Sequence, residues 1–190
     1  CLKPAMRLTA GQNVRVQLPT APEEAILAEN LPLEVIYQDE NTVVINKPAG
    51  VIVHPGAGHK TGTIVNAALY RWPEIRLVGE PERPGVVHRL DKETSGVLVL
   101  ARTQSAYTWL VRQFKSRKTE KHYLALVDGH PPTPSGRIEA SIGRDPNFRQ
   151  RMAVVYEGKG RAAVTEYHTR QSFREHDLLE VHPLTGRTHQ

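Results

Sequence analysis

Residues 85–96 read GVVHRLDKETSG. The polar part of this stretch, residues 88–96, lies between two short apolar runs. Val86 and Val87 open the first run, and residues 97–101, which read VLVLA, form the second. Apolar runs of this length on both sides of a polar segment predict two strands joined by a loop. A plain turn needs only Gly, Asn or Pro, yet this loop is crowded with ionisable and hydroxyl side chains. The crowding marks the loop as a candidate site for chemistry.

Asp91 is the side chain of this loop best suited to act as a carboxylate nucleophile or base with cations around it. Arg89 and Lys92 flank it and would favour its ionised form. The hydroxyl of Thr94 could hydrogen-bond the loop backbone, and Gly96 would allow a tight entry into the next strand. A solvent-exposed charged hairpin explains the same residues equally well, so the loop alone does not decide between the two.

The composition is that of an ordinary globular protein of 190 residues, with 39% hydrophobic and 24% charged residues. No apolar run approaches the roughly 20 residues that span a bilayer, so no membrane partner is expected. A single cysteine, Cys1, excludes an internal disulfide and favours a reducing, cytoplasmic location. The net charge of +5 suits a polyanionic partner, but many proteins without such a partner are equally basic.

The first 32 residues differ from the remainder in their sequence pattern and proline content. Residues 1–18 contain the alternating stretch NVRVQL, which predicts a half-buried edge strand. Residues 19–32 carry three prolines and are predicted to form a linker. Residues 33–190 then form the predicted main domain. Because the chain begins and ends inside patterns, we expect it to belong to a longer protein, with part of the C-terminal core beyond residue 190.

From residue 33 onward, strand patterns outnumber helical ones. Strands are predicted near residues 33–38, 42–48, 51–53, 86–88, 97–101, 122–129, 137–142, 151–156, 162–169 and 178–182. Helices are predicted over 63–72, with a cap from residues 61–63, and over 104–115, while 73–85 is predicted to be a loop. Because strands and helices do not alternate regularly, we expect an α+β fold with a mixed, mostly antiparallel sheet flanked by a few helices.

Several catalytic and metal-binding patterns are absent or too weak to use. The nine histidines include no H-E-x-x-H pair, and isolated histidines are more often surface groups than ligands. Asp91 and Glu93 lie two residues apart on a loop, which defines no glycosidase spacing. Ser95 lies outside any G-x-S-x-G elbow. We therefore expect no metal site.

The stretch HRLDKETSG, followed by VLVLA, resembles the signature of the RluA/RluD family of pseudouridine synthases. Three further motifs match in order: INKPAG at 45–50 with VHPG at 53–56, KHYLA at 121–125, and LTGRTHQ at 184–190. Four ordered motifs spread over residues 33–190 make the resemblance specific. Residues 1–18 are similar, more weakly, to the tail of an S4 RNA-binding domain.

The resemblance implies the pseudouridine synthase catalytic fold and an isomerisation that needs neither cofactor nor metal. It assigns Asp91 the central role, by attack on ribose C1′, by attack on uracil C6, or by removal of the C2′ proton. The sequence does not choose among these three routes. Arg89 is expected to fill the space left by a flipped uridine and Tyr123 to stack on the uracil. Arg187 is expected to pair with Asp91 and keep it charged.

A basic run, KSRKTEKHY at residues 115–123, leads into the tyrosine. The residues predicted to contact RNA are its four cations and the histidine of the first loop: Lys115, Arg117, Lys118, Lys121 and His88. Cations spaced along one segment suit a phosphate backbone. The same cations would also suit the end of a helix, where positive charge is favourable.

These features predict conversion of uridine to pseudouridine in structured RNA, with 23S ribosomal RNA or a large-subunit precursor as the expected partner. The enzyme is predicted to be monomeric and cytoplasmic. One alternative is a catalytically silent RNA-binding or ribosome-assembly module with the same fold. Another is a metal-free carboxylate hydrolase acting on nucleosides, which would release free uracil.

Overall fold

The computed structural model describes residues 9, 11, 25–56, 58–148, 150–156 and 158–190. This part of the chain contains ten strands, two α-helices and one short 3-10 helix. The strands are β1 (Glu34–Gln38), β2 (Thr42–Lys47), β3 (Gly79–Glu80), β4 (Arg83–Pro84), β5 (Gly96–Ala101), β6 (Tyr123–Asp128), β7 (Ser135–Arg144), β8 (Met152–Val155), β9 (Arg161–Ser172) and β10 (His176–Pro183). The helices are α1 (Ile64–Arg71), α2 (Gln104–Lys115) and the 3-10 helix Pro73–Leu77.

The strands form two main sheets and a two-stranded ribbon. The first sheet has the order β1-β2-β5, the second has the order β6-β10-β9-β7-β8, and β3 pairs with β4. Each pairing between these strands is antiparallel. The predicted α+β class with mostly antiparallel pairing and few helices is confirmed. The strands are divided between two main sheets instead of forming a single sheet.

The three-stranded sheet carries the main core. Its central strand, β2, alternates half-buried residues with the fully buried Val43, Ile45 and Lys47. Val43 and Ile45 belong to one buried cluster that also contains Leu98 and Leu100 of β5 and apolar residues of α1 and the 3-10 helix. Burial of each such aliphatic side chain contributes roughly 1.5–3 kcal/mol. The three-stranded sheet and the helices packed on it therefore form the well-packed part of the molecule that supports one side of the candidate site.

Helix α1 begins with a capping box at the predicted place. The Thr63 side chain accepts from the Asn66 N–H, and Asn66 Oδ1 accepts from the Thr63 N–H at 3.0 Å. The other end of the Asn66 amide donates to Leu27 O at 2.8 Å, and the Glu29 N–H donates to Asn66 O at 2.9 Å. Residues 25–33 have no regular secondary structure, yet these bonds attach part of them to α1.

The five-stranded sheet is much less buried. Among the residues that the structure describes in its strands, Ala163, Asp177 and Leu179 have buried side chains. Leu124 and Leu126 of β6 are 68% and 65% exposed. The second sheet therefore holds its shape mainly through strand pairing.

Residues 51–53 do not form the predicted strand. The Ile52 and Val53 carbonyls accept hydrogen bonds from the Ile64 and Val65 N–H groups, both at 3.0 Å. These carbonyls therefore satisfy the free amides at the start of α1, and no strand pairs with the segment. An apolar triplet alone could not distinguish the two arrangements.

Residues 86–88 are also not a strand, so the prediction of strands on both sides of the Asp91 loop is wrong on its first side. Only Val86 pairs, through a single bridge to Leu100. The Val99 N–H donates to His88 Nε2 at 2.9 Å. An imidazole thus takes a backbone donor that a neighbouring strand would otherwise use. The predicted loop at 73–85 contains the 3-10 helix and the β3–β4 ribbon.

The predicted edge strand in residues 1–18 and the first part of the predicted linker, residues 19–24, lie outside the described residues. Neither helix of the described chain has the length and apolar character needed to cross a membrane.

Candidate active site

A cavity of about 860 Å³ is lined by residues of the five-stranded sheet and by the loop that leads into β5 of the three-stranded sheet. Its volume lies within the range of about 300–1,000 Å³ that is usual for ligand sites. The loop before β5, the end of α2 with the segment leading to β6, and the segment that follows β10 each contribute to its wall. The four residues predicted to be catalytic all line this cavity: Asp91, Arg89, Tyr123 and Arg187.

The loop before β5 presents Asp91 to the cavity because the preceding residue is anchored in the core. Leu90 is 7% exposed and belongs to the main buried cluster, whereas Arg89 and Asp91 on either side of it line the cavity. The Thr94 N–H donates to Asp91 O at 3.1 Å and closes a turn. Gly96 has φ +120°, a conformation that L-residues rarely adopt, so glycine is needed where the chain enters β5, as predicted.

Lys47 holds this loop through a hydrogen bond to the loop backbone. It is 0% exposed, and its Nζ donates to Pro48 O at 2.9 Å, to Val51 O at 2.8 Å and to Lys92 O at 3.0 Å. A buried ammonium is costly unless such acceptors satisfy it. Because Lys92 directly follows Asp91, the third bond ties the Asp91 loop to the end of β2.

The role of Lys47 was not predicted from the sequence, although a signal for it exists. Val43, Ile45 and Lys47 occupy alternate positions of one strand, so a lysine takes the third inward-facing place. Burial lowers the pKa of Lys47, and the charges of Glu93 and Asp91 act in the opposite direction. The carboxylates of the loop therefore help to keep the buried ammonium protonated.

His88 is a structural member of the site. Its Nε2 accepts from the Val99 N–H, and its ring stacks on Phe114 with centroids 4.5 Å apart. Burial, and after it the charge of Lys121, lowers the pKa of His88 to about 4. The imidazole is therefore neutral at pH 7, and its Nε2 lone pair is occupied by a backbone donor. His88 lines the cavity, but its contacts hold the loop against β5 and α2.

Tyr123 is the first residue of β6 and spans the boundary between core and cavity. Its side chain packs against the main buried cluster and also lines the cavity. Burial raises the pKa of Tyr123, and the negative charge of Asp91 raises it further. The phenol is therefore neutral at physiological pH, and the Asp91 carboxylate is near enough to influence it.

Arg187 reaches the cavity from the segment that follows β10. Its Nε donates to Ala162 O of β9 at 3.0 Å, and its N–H donates to Gln190 Oε1 at 3.0 Å. Asp91 and Arg187 line the same cavity, but within the described part of the chain no salt bridge joins them. The structure thus brings the two residues to one site without the direct pair.

Gln190 organises this segment and was not predicted to have a role. Its Oε1 also accepts from Thr185 Oγ1 at 2.7 Å, while its Nε2 donates to Val164 O at 3.0 Å and to Thr165 Oγ1 at 2.9 Å. One amide thereby ties residues 184–190 to β9. No periodic pattern surrounds Gln190, so only its place in a recognised motif could have drawn attention to it.

The basic run divides into residues with different positions. Lys115, Arg117 and Lys121 line the cavity, whereas Lys118 is exposed and is not among the lining residues. Lys121 Nζ donates to Thr185 O at 3.0 Å, so it connects the start of β6 to the Arg187 segment. The structure therefore places three of the four predicted phosphate contacts at the cavity.

The wall of the cavity is strongly cationic. Its charged lining consists of five cations and two carboxylates: Arg89, Lys115, Arg117, Lys121 and Arg187 against Asp91 and Glu120. Clefts lined by one sign of charge concentrate the field and attract a ligand of opposite charge. Among the described residues, no three His, Cys, Asp or Glu side chains come together as metal ligands would.

This arrangement, a carboxylate beside a neutral tyrosine in a cationic cavity, coincides with a match to a known family. The profile of the family described as RNA pseudouridylate synthase matches residues 41–190. The chain belongs to the RNA pseudouridylate synthase family. The resemblance inferred from the four sequence motifs is thereby confirmed.

Curated relatives within the RNA pseudouridylate synthase family extend over the whole chain. An uncharacterized RNA pseudouridine synthase of Aquifex aeolicus (strain VF5) is 44% identical over 190 residues, which is 99% of this chain and 60% of that protein. A ribosomal large subunit pseudouridine synthase D of Xanthomonas campestris pv. campestris is 46% identical over 188 residues, which is 99% of this chain and 55% of that protein. The chain thus spans less than two thirds of the length of these relatives.

Two solved human structures share the fold. Human RNA Pseudouridylate Synthase Domain Containing 4 is 31% identical with a TM-score of 0.63, covering 83% of this chain and 61% of that one. Human RNA Pseudouridylate Synthase Domain Containing 1 is 27% identical with a TM-score of 0.66, covering 84% of this chain and 62% of that one. The predicted pseudouridine synthase catalytic fold is confirmed.

Proposed function

We propose that the full-length protein isomerises uridine to pseudouridine in structured RNA. The observation that carries the proposal is the meeting of Asp91, Arg89, Tyr123 and Arg187, from three separate motifs, in one cationic cavity. Membership of the RNA pseudouridylate synthase family supports the type of reaction, and the cavity is the proposed binding site for the reacting nucleotide. The isomerisation breaks the N1–C1′ glycosidic bond and forms a C5–C1′ bond; the uracil loses the proton on C5 and gains one on N1, so no external reactant is needed.

Asp91 is the proposed catalytic group. It would act on ribose C1′, on uracil C6 or on the C2′ proton, and each route requires the carboxylate to be ionised within reach of a bound nucleotide. The buried Leu90 beside it and the bond from Lys47 to Lys92 O support this role, because they restrict movement of the loop. A catalytic group held in one geometry lowers the entropic part of the barrier.

Arg89 is proposed to occupy the space left when the target uridine leaves its stack. Extruding a base costs a few kcal/mol, and an inserted side chain offsets part of that cost. Arg89 is exposed and lines the cavity beside Asp91, a position from which it can reach into RNA. Its planar guanidinium can stack and hydrogen-bond at once, which a lysine cannot do.

Tyr123 is proposed to stack on the extruded uracil. A neutral ring that is partly anchored in the core offers a rigid stacking surface, and base–aromatic stacking contributes about 1–3 kcal/mol. Its hydroxyl is a candidate for the step that removes the C5 proton. A Tyr123→Phe variant separates the two roles, since it retains the ring and loses only the hydroxyl.

Arg187 is proposed to approach Asp91 once RNA is bound. Its Nε is held by Ala162 O, so the guanidinium is already oriented at the cavity wall. A charged hydrogen bond to Asp91 in a site closed to water would stabilise the carboxylate far more than the same contact in solvent.

The proposal extends to the cellular setting. The substrate is taken to be 23S ribosomal RNA or its precursor, because several relatives are named ribosomal large subunit pseudouridine synthase D. The single cysteine supports a cytoplasmic location. We infer further that residues 1–18 end an S4-like RNA-binding domain, that 19–32 link it to the catalytic domain, and that the enzyme acts as a monomer.

The direct test is to incubate the full-length protein with unmodified, in vitro transcribed 23S ribosomal RNA and to map new pseudouridines by chemical sequencing. We expect pseudouridine at one or a few defined uridines and no release of free uracil. RNA binding without any new pseudouridine would support the silent module instead. Free uracil among the products would support a nucleoside hydrolase.

A further inference from the structure

Arg117 occupies a backbone position that normally belongs to glycine. Helix α2 ends at Lys115, and Arg117 follows with φ 55°. The Arg117 N–H donates to Phe114 O at 3.2 Å, and the Lys118 N–H donates to Gln113 O at 3.1 Å. This pair of bonds defines a Schellman ending, whose left-handed residue is most often glycine because a Cβ is unfavourable there.

The side chain at this unfavourable position faces the cavity. Arg117 lines it, and burial, followed by the charge of Arg117, lowers the pKa of Lys121. No ion pair or side-chain hydrogen bond holds Arg117 within the described ranges of the chain. The neighbouring Lys121, by contrast, is engaged with Thr185 O. Arg117 is therefore an uncommitted guanidinium at the cavity wall, on a backbone fixed by two hydrogen bonds.

We propose that Arg117 binds a phosphate of the RNA strand beside the extruded nucleotide. This inference rests on the proposed RNA substrate and assigns one cation of the basic run to a specific contact. A guanidinium offers paired donors that match phosphate oxygens, and the Schellman bonds fix the direction in which the side chain leaves the backbone. A contact made from a fixed backbone explains an arginine at a site where glycine would be more stable.

The inference is tested with Arg117→Gly in the full-length protein, using in vitro transcribed 23S ribosomal RNA that carries 5-tritiated uridine. We expect the melting temperature to rise by about 2–4 °C, since glycine relieves the left-handed strain. The KM is expected to rise about tenfold with kcat within about twofold of wild type. In filter binding, the slope of log affinity against log salt is expected to become shallower by about 0.7–1.

Arg112→Ala is the matched control, because it removes one positive charge from the exposed surface of α2, the helix that precedes Arg117, at a position outside the cavity lining. We expect its KM and its melting temperature to stay close to wild type. Equal losses of affinity in both variants would overturn the inference, as would a lowered melting temperature or an unchanged KM in Arg117→Gly.

Binding and turnover are measured separately so that two failures can be distinguished. If the wild-type protein binds the RNA and makes no pseudouridine, the proposed function fails, and the binding data still decide the role of Arg117. If the wild-type protein is active and Arg117→Gly binds RNA as tightly as wild type, only the role of Arg117 fails.

Discussion

The two main sheets differ in how their residues are buried, and the candidate active site is lined by strands of one and by the loop that leads into the other. The three-stranded sheet shares a continuous core with α1 and the 3-10 helix, and its central strand buries even a lysine. The five-stranded sheet buries few side chains and leaves Leu124 and Leu126 of β6 largely exposed. One side of the cavity is therefore tightly packed, and the other is held mainly by backbone pairing and polar links.

The difference matches the division of the proposed chemical roles. Asp91 belongs to the packed side, where Leu90 and Lys47 hold its loop. Arg187 belongs to the open side, where Gln190 and Lys121 position its segment through hydrogen bonds. A reactive carboxylate profits from a fixed geometry, whereas cations that receive a long polyanion tolerate movement.

The largest effect on stability is expected from Lys47→Met, which removes the buried ammonium and leaves its three carbonyl acceptors without that donor. We expect a loss of about 3–5 kcal/mol in the free energy of unfolding, since each buried acceptor left unsatisfied costs about 1–3 kcal/mol. Urea denaturation measures it. Lys92→Met, which changes an exposed lysine in the same loop, serves as the control and is expected to be nearly neutral. Comparable losses in the two variants would contradict the role of Lys47.

The difference in packing between the two sheets is measured by truncating one side chain on each sheet. Ile45→Ala opens a cavity in the packed core and is expected to cost about 3 kcal/mol. Leu126→Ala removes an exposed side chain on β6 and is expected to cost less than about 1 kcal/mol. Both values come from urea denaturation of the full-length protein. Equal costs would mean that β6 is packed as tightly as β2.

Arg187→Met tests the open side of the cavity. We expect kcat to fall about a hundredfold, which corresponds to about 2.7 kcal/mol of lost transition-state stabilisation. RNA binding is expected to weaken much less, because four cations remain at the cavity. Single-turnover assays separate the two quantities. An Arg112→Met variant, altered on the exposed surface of α2, should retain wild-type turnover, and wild-type turnover in Arg187→Met would refute the role.

The smallest effect concerns pH. His88 has a pKa of about 4 in the folded protein against an ordinary value of 6.5, so the folded state binds fewer protons between these limits. The stability that comes from neutral His88 is complete above pH 6.5 and is lost as the pH falls towards 4. Between pH 7 and 5.5 the loss is about 1 kcal/mol.

His88→Gln keeps an acceptor for the Val99 N–H and does not titrate. We therefore expect its stability to fall by about 1 kcal/mol less than that of wild type between pH 7 and 5.5. Thermal denaturation across this range measures the difference. Parallel curves for the two proteins would show that His88 is not buried in its neutral form.

Much of the fold follows from local patterns. Runs of apolar residues predicted β2, β5 and β6, and the spacing of apolar residues predicted α1 and α2. The predicted strands at 51–53 and 86–88 are wrong for one reason. In both places a backbone group is satisfied by a helix terminus or by an imidazole, and such partners depend on distant parts of the chain.

The residues of the candidate site could be predicted from the sequence motifs. The residues that hold them in place could not. The three motifs that contain Asp91, Arg89, Tyr123 and Arg187 pointed to residues that the structure brings to one cavity. Lys47 and Gln190 act through hydrogen bonds to backbone atoms far along the chain, and a sequence pattern carries no record of such contacts. The strain at Arg117 is likewise visible only from the backbone conformation.

The account depends on the Asp91 carboxylate, and the most direct measurement is tritium release from 5-tritiated uridine in 23S ribosomal RNA by full-length Asp91→Asn. We expect wild-type melting temperature and wild-type RNA affinity, because the amide has nearly the same shape and no hydrogen bond to the Asp91 carboxylate is seen among the described residues. Tritium release is expected to fall at least about a thousandfold, since the reacting group is lost. Release at the wild-type rate would contradict the account.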